Sequence, residues 1–273
     1  LDQFGRQLGL KVTLRLEGAG TAQARAFFAE AARLLAHVEG QFSLHSDSDL
    51  ARLNRLGRLR YPSGDMLALM ALSAQLHDAT GGAFDPTVQP LWLARARGGD
   101  EDAARALTGW RGVEWSQDEI RLPRPGMGLT FNGIAQGLAA DLLAEAARRH
   151  GLTEVLIDAG ETRAMGPRDW RAALADAQGR VHRRITLRER ALATSSPMGT
   201  RIGPAGRAHI LASDGRPPLW DTVSVSAPRA ALADGLSTAL CLMSAAAAQK
   251  ALAMLPDCRI ELAIPTENIR QNG

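Results

Sequence analysis

An aspartate and a threonine stand four residues apart in the apolar segment ADGLSTAL, at Asp234 and Thr238. On a helix this spacing places both side chains on one face. A carboxylate, a hydroxyl and nearby backbone carbonyls are hard oxygen donors of the kind that suit Mg²⁺. The alternative is structural: Asp234 would cap the helix and Thr238 would bond back to a carbonyl. Spacing alone favours this structural alternative.

Two glycines, Gly133 and Gly137, mark a second segment, where a loop turns into the helix of GIAQGLAADLLAEAARRHG. The free N–H groups at such a helix start could receive an anion such as a phosphate. The alternative is close packing of the helix against a neighbour through its small residues. The spacing is not that of GxGxxG, so both readings stay open.

Two histidines and an aspartate are further candidates for chemistry. His209 precedes an apolar dipeptide and a turn, and a histidine there could act as a general base near neutral pH. Such a histidine is more often a hydrogen-bonded structural residue. His45 lies among polar loop residues, and Asp85 is followed by Pro86, a pair that most often forms a turn.

The composition narrows the class of protein. A content of 45% hydrophobic and 22% charged residues is ordinary for a globular chain, and no apolar run approaches the ~20 residues of a membrane helix. The net charge is only +3 and the basic residues are scattered, so we expect no nucleic-acid binding. The two cysteines exclude a structural zinc cluster built from Cys alone. The first residue is Leu1 rather than Met, so we expect an upstream segment to have been removed.

The elements that must position these residues are strands and helices without regular β-α-β alternation, which predicts the α+β class. No flexible linker appears, so we expect a single domain over residues 1–273. The predicted helices cover residues 21–39 with Thr21 as the N-cap, about 64–80, the segment that Gly151 closes, and LADGLSTALCLMSAAAAQKALAML as one long helix. The predicted strands are 8–16, TEVLIDAG, VSVSAP and RIELAIP, with short strands within 98–128 and 170–226. FSLHSDSDLARLN is predicted to be a polar loop.

Taken in order, these segments resemble those of the ApbE family, the FAD:protein FMN transferases. FSLHSDSDLARLN matches the family's F-S-x-[YW]-x-x-x-S-[ED]-[LI]-x-x-[LI]-N apart from His45, and GAFDPTVQPL meets its G-[AG]-F-D-P-T-V-x-P-L. TFNGIAQGLAAD is similar to D-L-G-G-I-A-K-G-x-A-x-D, HILASDGRP to H-I-[IL]-D-P-x-T-G-x-P, and ADGLSTAL to A-D-A-L-S-T-A-L. The resemblance covers nearly the whole chain, beginning at Leu8, where the family has M-G-T.

The resemblance implies an ApbE-like fold of two closely packed lobes with FAD in the groove between them. Mg²⁺ would be held by the Asp234 carboxylate, the Thr238 hydroxyl and a backbone carbonyl at Gly133. FMN would pass from FAD to a Thr or Ser of a target flavoprotein and AMP would leave, with Asp234 and His209 as catalytic residues and His209 activating or positioning the acceptor hydroxyl. The positions that match FAD contacts in the family are Leu8, His45, Ala83, Phe84, Asp85, Thr130, Gln136 and Leu211.

The resemblance also implies partners and a compartment. Family members usually work outside the cytoplasmic membrane as lipoproteins or signal-bearing proteins, and their targets are flavin-carrying subunits of membrane redox complexes. We therefore expect a periplasmic protein, or one on the outer face of that membrane, anchored through the removed N-terminal segment.

Departures from the family pattern fall on the inferred FAD contacts. Thr130 replaces an Asp, Gln136 replaces the usual Lys, and His45 replaces an aromatic residue. The family's N-A-G-G-D-[IL]-R is one residue shorter here, as DAGETR without that Asp, and the D-P that follows H-I-[IL] has become Ala212-Ser213. Three readings stay open: a divergent flavinyltransferase, an FAD hydrolase that gives FMN and AMP, and a degenerate relative that binds flavin or a protein partner. The intact metal pair and His209 favour the first.

Overall fold

The computed structural model describes residues 2–7 and 10–266, with side chains from Val12 onward. Within these residues the strands are β1 (Asp2–Gln7), β2 (Leu10–Leu16), β3 (Arg58–Arg60), β4 (Glu114–Trp115), β5 (Glu119–Arg121), β6 (Val155–Asp158), β7 (Thr162–Ala164), β8 (Trp170–Ala175), β9 (Val181–Leu187), β10 (Ala191–Ser195), β11 (Arg201–Ile202), β12 (Arg207–Ala208), β13 (Trp220–Ala227) and β14 (Arg259–Pro265). The helices are α1 (Thr21–Phe42), α2 (Asp49–Leu56), α3 (Gly64–Ala79), α4 (Gln89–Arg97), α5 (Glu101–Arg105), α6 (Ala135–Arg149), α7 (Ala230–Leu240) and α8 (Ala245–Met254).

An antiparallel sheet of seven strands, in the order β1-β2-β6-β7-β10-β13-β14, forms the framework of the described residues. Because side chains alternate along a strand, Val155 and Ile157 of β6 join the main core while Leu156 packs on the other face. Helices α1, α6 and α7 cover the first face, and Trp170 of the β8–β9 hairpin covers the second. This arrangement confirms the α+β class. The expectation of one domain with two lobes stays a prediction.

Helix α7 lies at the centre of the core, against α6, α3 and strands β10 and β13. Its small residues allow this close packing. At Gly235, for example, an added Cβ would lie 2.8 Å from Cγ2 of Ile134 and would also overlap Leu76. The helix that carries Asp234 and Thr238 is therefore held by neighbours on several sides.

The prediction of a polar loop over FSLHSDSDLARLN is wrong in its second half, where α2 forms. Ser48 caps this helix by accepting from the N–H of Ala51 at 3.0 Å, and Gly57 ends it in the left-handed conformation at φ 71°. Leu50 and Leu53 are fully buried and hold the helix on the core. The many polar residues of the surrounding segment concealed this apolar face.

The long C-terminal helix predicted as one piece is two helices, α7 and α8. Strand β13 and the residue before it take carbonyls freed at the end of α7: Leu219 N–H donates to Cys241 O at 2.8 Å, and the Trp220 indole donates to Met243 O at 2.8 Å. Ser244 then caps α8. A smaller correction concerns Thr21, which is the first residue of α1, while Gly20 is its N-cap. No helix in the described residues is long and apolar enough to cross a bilayer.

Candidate active site

The candidate residues come together around one groove of about 810 Å³. Its size is in the range of nucleotide and cofactor sites. Leu8 lies outside the described residues. The other candidates all line the groove: His45, Ala83, Phe84, Asp85, Thr130, Gly133, Gln136, His209, Leu211, Asp234 and Thr238.

Asp234 and Thr238 lie one turn apart on α7 and face the groove together. Asp234 is the fifth residue of α7 and is 4% exposed, so it does not cap its own helix. Its Oδ2 instead accepts from the N–H of Gly137 in α6, at 3.3 Å. Across from Thr238, a Cβ at Gly133 would lie 3.0 Å from the threonine Oγ1, so only glycine leaves this space open.

Ser195, at the end of β10, holds the threonine side of this pair. Its hydroxyl is 2.7 Å from Ser237 Oγ and 3.3 Å from Thr238 Oγ1. Ser237 in turn donates to the backbone oxygen of Asp234 at 3.0 Å. The Thr238 hydroxyl is therefore oriented by a short chain of hydroxyl groups.

A second carboxylate, Glu161, lies in the wall of the same groove and is 7% exposed. Burial raises the pKa of both Asp234 and Glu161. The nearby charge of Asp234 raises the pKa of Glu161 further. No Lys or Arg stands among the described lining residues, whereas Glu39, Asp85, Glu161 and Asp234 do. A divalent cation would offset this concentration of negative charge.

Asp234, Thr238 and the Gly133 backbone form a set of hard oxygen donors, which fits Mg²⁺. In the part of the chain that the structure describes, no three His, Cys, Asp or Glu side chains group as ligands. The donor set at α7 has one carboxylate, completed by a hydroxyl and a carbonyl. Glu161, a second buried carboxylate near Asp234, adds negative charge that a bound cation would offset.

His209 follows β12 and is half-buried in the groove wall. Its Nδ1 is 2.9 Å from Pro197 O and 3.1 Å from Thr200 O. Carbonyl oxygens only accept hydrogen bonds, so the Nδ1 carries the proton and the neutral ring keeps its lone pair on Nε2. The backbone thus holds this imidazole in the tautomer that a general base needs.

The segment that follows α3, residues 81–84 (GGAF), is held by the end of that helix. The His77 Nδ1 lies 3.0 Å from Phe84 O, and the Thr80 hydroxyl accepts from the N–H of Phe84 at 3.0 Å. Asp85 lines the groove, but its Oδ1 also accepts from the N–H of Thr87 at 2.8 Å and so caps the short turn that follows. The turn that the sequence predicts at Asp85-Pro86 therefore forms, and it is part of the groove wall.

The two glycines before and in α6 have different environments. Gly133 lines the groove, whereas Gly137 is buried between helices, where an added Cβ would lie 2.5 Å from the carbonyl carbon of Ala230. The N–H of Gly137 bonds to Asp234, so it is not free for an anion. Close packing therefore explains Gly137.

The sequence reasoning missed Glu161 and the hydroxyls of Ser195 and Ser196, all of which line the groove. Glu161 was hidden in DAGETR because the segment is one residue shorter than the family pattern. An acidic residue directly after a buried strand and a glycine was the available signal.

These observations define a class: an α+β protein with an acidic, nucleotide-sized groove, a helix-borne Asp–Thr pair and a histidine held for proton transfer. The sequence model of the ApbE family matches residues 8–260, and the chain belongs to that family. It is 27% identical to the FAD:protein FMN transferase of Salmonella typhimurium over 239 residues, covering 75% of this chain and 67% of that protein.

Solved structures agree with this assignment. The apo form of the flavinyl transferase ApbE of Pseudomonas stutzeri is similar with a TM-score of 0.75 and 27% identity, covering 93% of this chain and 88% of that one. The ApbE protein of Thermotoga maritima gives a TM-score of 0.82 at 21% identity, covering 99% and 98%, and shows the fold alone.

Proposed function

We propose that this protein transfers FMN from FAD to a Thr or Ser hydroxyl of a target flavoprotein and releases AMP. The observation that carries the proposal is the meeting of His209 with Asp234 and Thr238 around one groove of about 810 Å³. Two comparisons support the proposal. The ApbE sequence model spans nearly the whole chain, and relatives of the chain are named FAD:protein FMN transferase.

The transfer exchanges the phosphoanhydride bond of FAD for a phosphoester bond to the acceptor. The acceptor oxygen attacks the phosphorus on the FMN side of the pyrophosphate, and a new P–O bond forms. The bond from that phosphorus to the bridging oxygen breaks, and the bridging oxygen leaves with AMP. His209 Nε2 accepts the hydroxyl proton, because its Nδ1–H is held by the carbonyls of Pro197 and Thr200.

Asp234, Thr238 and the Gly133 carbonyl are the residues that would hold Mg²⁺. When bound there, the ion would neutralise the pyrophosphate and polarise the reacting phosphorus. The groove supplies no Lys or Arg for this purpose among its described lining residues, so the negative charge of FAD requires a cation.

The substitutions at the groove wall are compatible with activity. Thr130 and Gln136 both line the groove, and together they remove one negative and one positive charge relative to the family pattern, so its net charge is unchanged. The shortened DAGETR segment still places a carboxylate, Glu161, beside Asp234. These features support a divergent transferase over a degenerate relative.

For the compartment and the acceptors, only the family resemblance offers support. On that basis we propose that the protein works in the periplasm or on the outer face of the cytoplasmic membrane, with flavin-carrying subunits of membrane redox complexes as its targets. Fractionation of cells that express the natural gene would test this, and recovery only in the cytoplasm would contradict it.

The reaction can be tested by adding FAD to the purified protein with and without Mg²⁺, together with an acceptor peptide that carries the target Thr. AMP release with FMN bound to the peptide supports the transferase. AMP with free FMN would indicate hydrolysis instead, and neither binding nor AMP release would mean that the groove has lost its inherited activity.

A further inference from the structure

Helices α6 and α7 meet through contacts that repeat every four residues. The two segments run in opposite directions, so the residues just before and along α6 meet those of α7 in reverse order. The pairs are Gly133 with Thr238, Gly137 with Asp234, and Asp141 with Ala230. The first two pairs contain the residues that would hold Mg²⁺, and the third lies one turn further from the groove.

Asp141 provides the cap that α7 lacks. The N-cap residue of α7, Arg229, makes no side-chain capping bond. Instead Asp141 Oδ1 accepts from the N–H of Ala230 at 2.8 Å, and its Oδ2 accepts from the N–H of Ala231 at 3.1 Å. A carboxylate at the positive end of a helix is also favoured by the helix dipole. Arg163, with its Nε 4.0 Å from Oδ1, lies beside this carboxylate.

Gly137 lets the two helices approach closely enough for this cap to form. Its Cα has no space for a side chain, because a Cβ would lie 2.5 Å from the carbonyl carbon of Ala230. Asp141 is one turn further along α6 than Gly137, on the same face. The close approach at Gly137 and the cap at Asp141 therefore fix α7 against α6 both sideways and along its axis.

We propose that Asp141 is a positioning residue for the cation site, because it fixes the start of α7 and hence the distance of Asp234 and Thr238 from Gly133. The inference rests on the proposed Mg²⁺ site. Mg²⁺ requires near-ideal octahedral geometry, so a small shift of two ligands along α7 lowers the affinity for the ion. Without the cap, two N–H groups at the start of α7 lose their partner, and the first turn must move to find another.

The test uses the full chain without FAD and measures Mn²⁺ binding by electron paramagnetic resonance, with Mg²⁺ as competitor. We expect Asp141→Ala to weaken binding about 10–100-fold, as is usual when a residue that orients metal ligands is lost. Asp141→Asn should lose less affinity for Mn²⁺, because its remaining oxygen can still accept from the N–H of Ala230. This variant replaces Asp141→Ala in the test if the alanine variant does not fold. Circular dichroism confirms that each variant is folded.

Ser244→Ala is the matched control, since Ser244 also caps a helix, α8, which contributes no residue to the groove. It should bind Mn²⁺ as the unmodified protein does. Unchanged affinity in a folded Asp141→Ala variant, or an equal loss in Ser244→Ala, would overturn the positioning role. If Asp234→Ala binds Mn²⁺ as the unmodified protein does, the metal site of the proposed function is itself wrong, and this inference with it.

Discussion

Glu161 and Asp234 are two buried carboxylates in one groove wall, and the charge of Asp234 raises the pKa of Glu161. Burial is the larger cause for both. Such a pair is costly to ionise without a cation, because each charge has lost its water and faces a like charge. Through this pair, cation binding should affect the stability of the folded protein and the way in which that stability depends on pH.

In the metal-free protein, stability should fall as pH rises through the range of these groups. Unfolded carboxyl groups titrate near pH ~4, whereas the folded pKa values are raised, so the folded state binds more protons between the two. The free energy of unfolding therefore decreases as pH rises from about 4 toward neutral. Urea unfolding in a chelator, at a series of pH values, measures this.

Glu161→Gln should flatten that dependence and stabilise the metal-free protein above neutral pH, because the neutral amide removes a buried charge whose ionisation both burial and Asp234 oppose. Saturating Mg²⁺ should flatten it in the unmodified protein. An identical pH dependence in the variant and the unmodified protein would contradict the account of the pair.

Gly137→Ala should force α6 and α7 apart and weaken cation binding. The added methyl group would overlap the backbone at Ala230, and overpacking of this kind costs about 1–3 kcal/mol. Gly40→Ala is the control: Gly40 lies in α1 with nothing within 4 Å of an added Cβ, so alanine there should stabilise the protein by about 0.5–1 kcal/mol. Thermal unfolding and Mn²⁺ titration of both variants compare their stability and their affinity for the cation. Equal effects of the two substitutions would contradict the close packing of α6 against α7 at Gly137.

His209→Asn should abolish most of the transfer while leaving FAD binding intact. The asparagine amide can replace the Nδ1–H that donates to Pro197 and Thr200, but it has no group with the basicity of Nε2. Loss of a general base typically costs about 10²–10⁴ in rate. FAD titration and single-turnover AMP release separate the two effects. His182→Asn, on β9 away from the groove, should behave as the unmodified protein, and a fully active His209→Asn would remove the histidine from the mechanism.

His45→Tyr should tighten FAD binding. His45 is exposed and lines the groove at the position where the family has an aromatic residue, and a larger ring offers a stacking surface for the flavin or the adenine. Aromatic pairs contribute about 0.5–1.5 kcal/mol, which is a change of a few-fold to about tenfold in the dissociation constant. Unchanged or weaker affinity by fluorescence titration would count against stacking there.

The sequence was informative where local pattern and chemistry coincide. The spacing of Asp234 and Thr238 predicted one helix face, and both side chains do share the groove. Helix α3 and strand β14 lie where their apolar patterns predicted them. What could not be read were features decided by contacts between distant segments: the break after α7 depends on β13 taking its carbonyls, and α2 depends on two leucines reaching the core.

In the site, too, the residues in recognisable local segments could be predicted, whereas roles that depend on contacts between distant segments could not. Eleven of the groove residues could be named in advance because they lie in segments that resemble the family, but Glu161 and Asp141 could not be given roles. Glu161 gains its meaning from its proximity to Asp234, 73 positions further along the chain. Asp141 gains its meaning from capping a helix that begins 89 residues later.

The most direct test of the central claim is intact-mass analysis of an acceptor peptide after incubation with FAD, Mg²⁺ and either the unmodified protein or Asp234→Ala. The account predicts one FMN added to the peptide by the unmodified protein in the presence of Mg²⁺, with none in a chelator and none with a folded Asp234→Ala variant. Equal addition by Asp234→Ala, or addition that does not need a divalent cation, would contradict it.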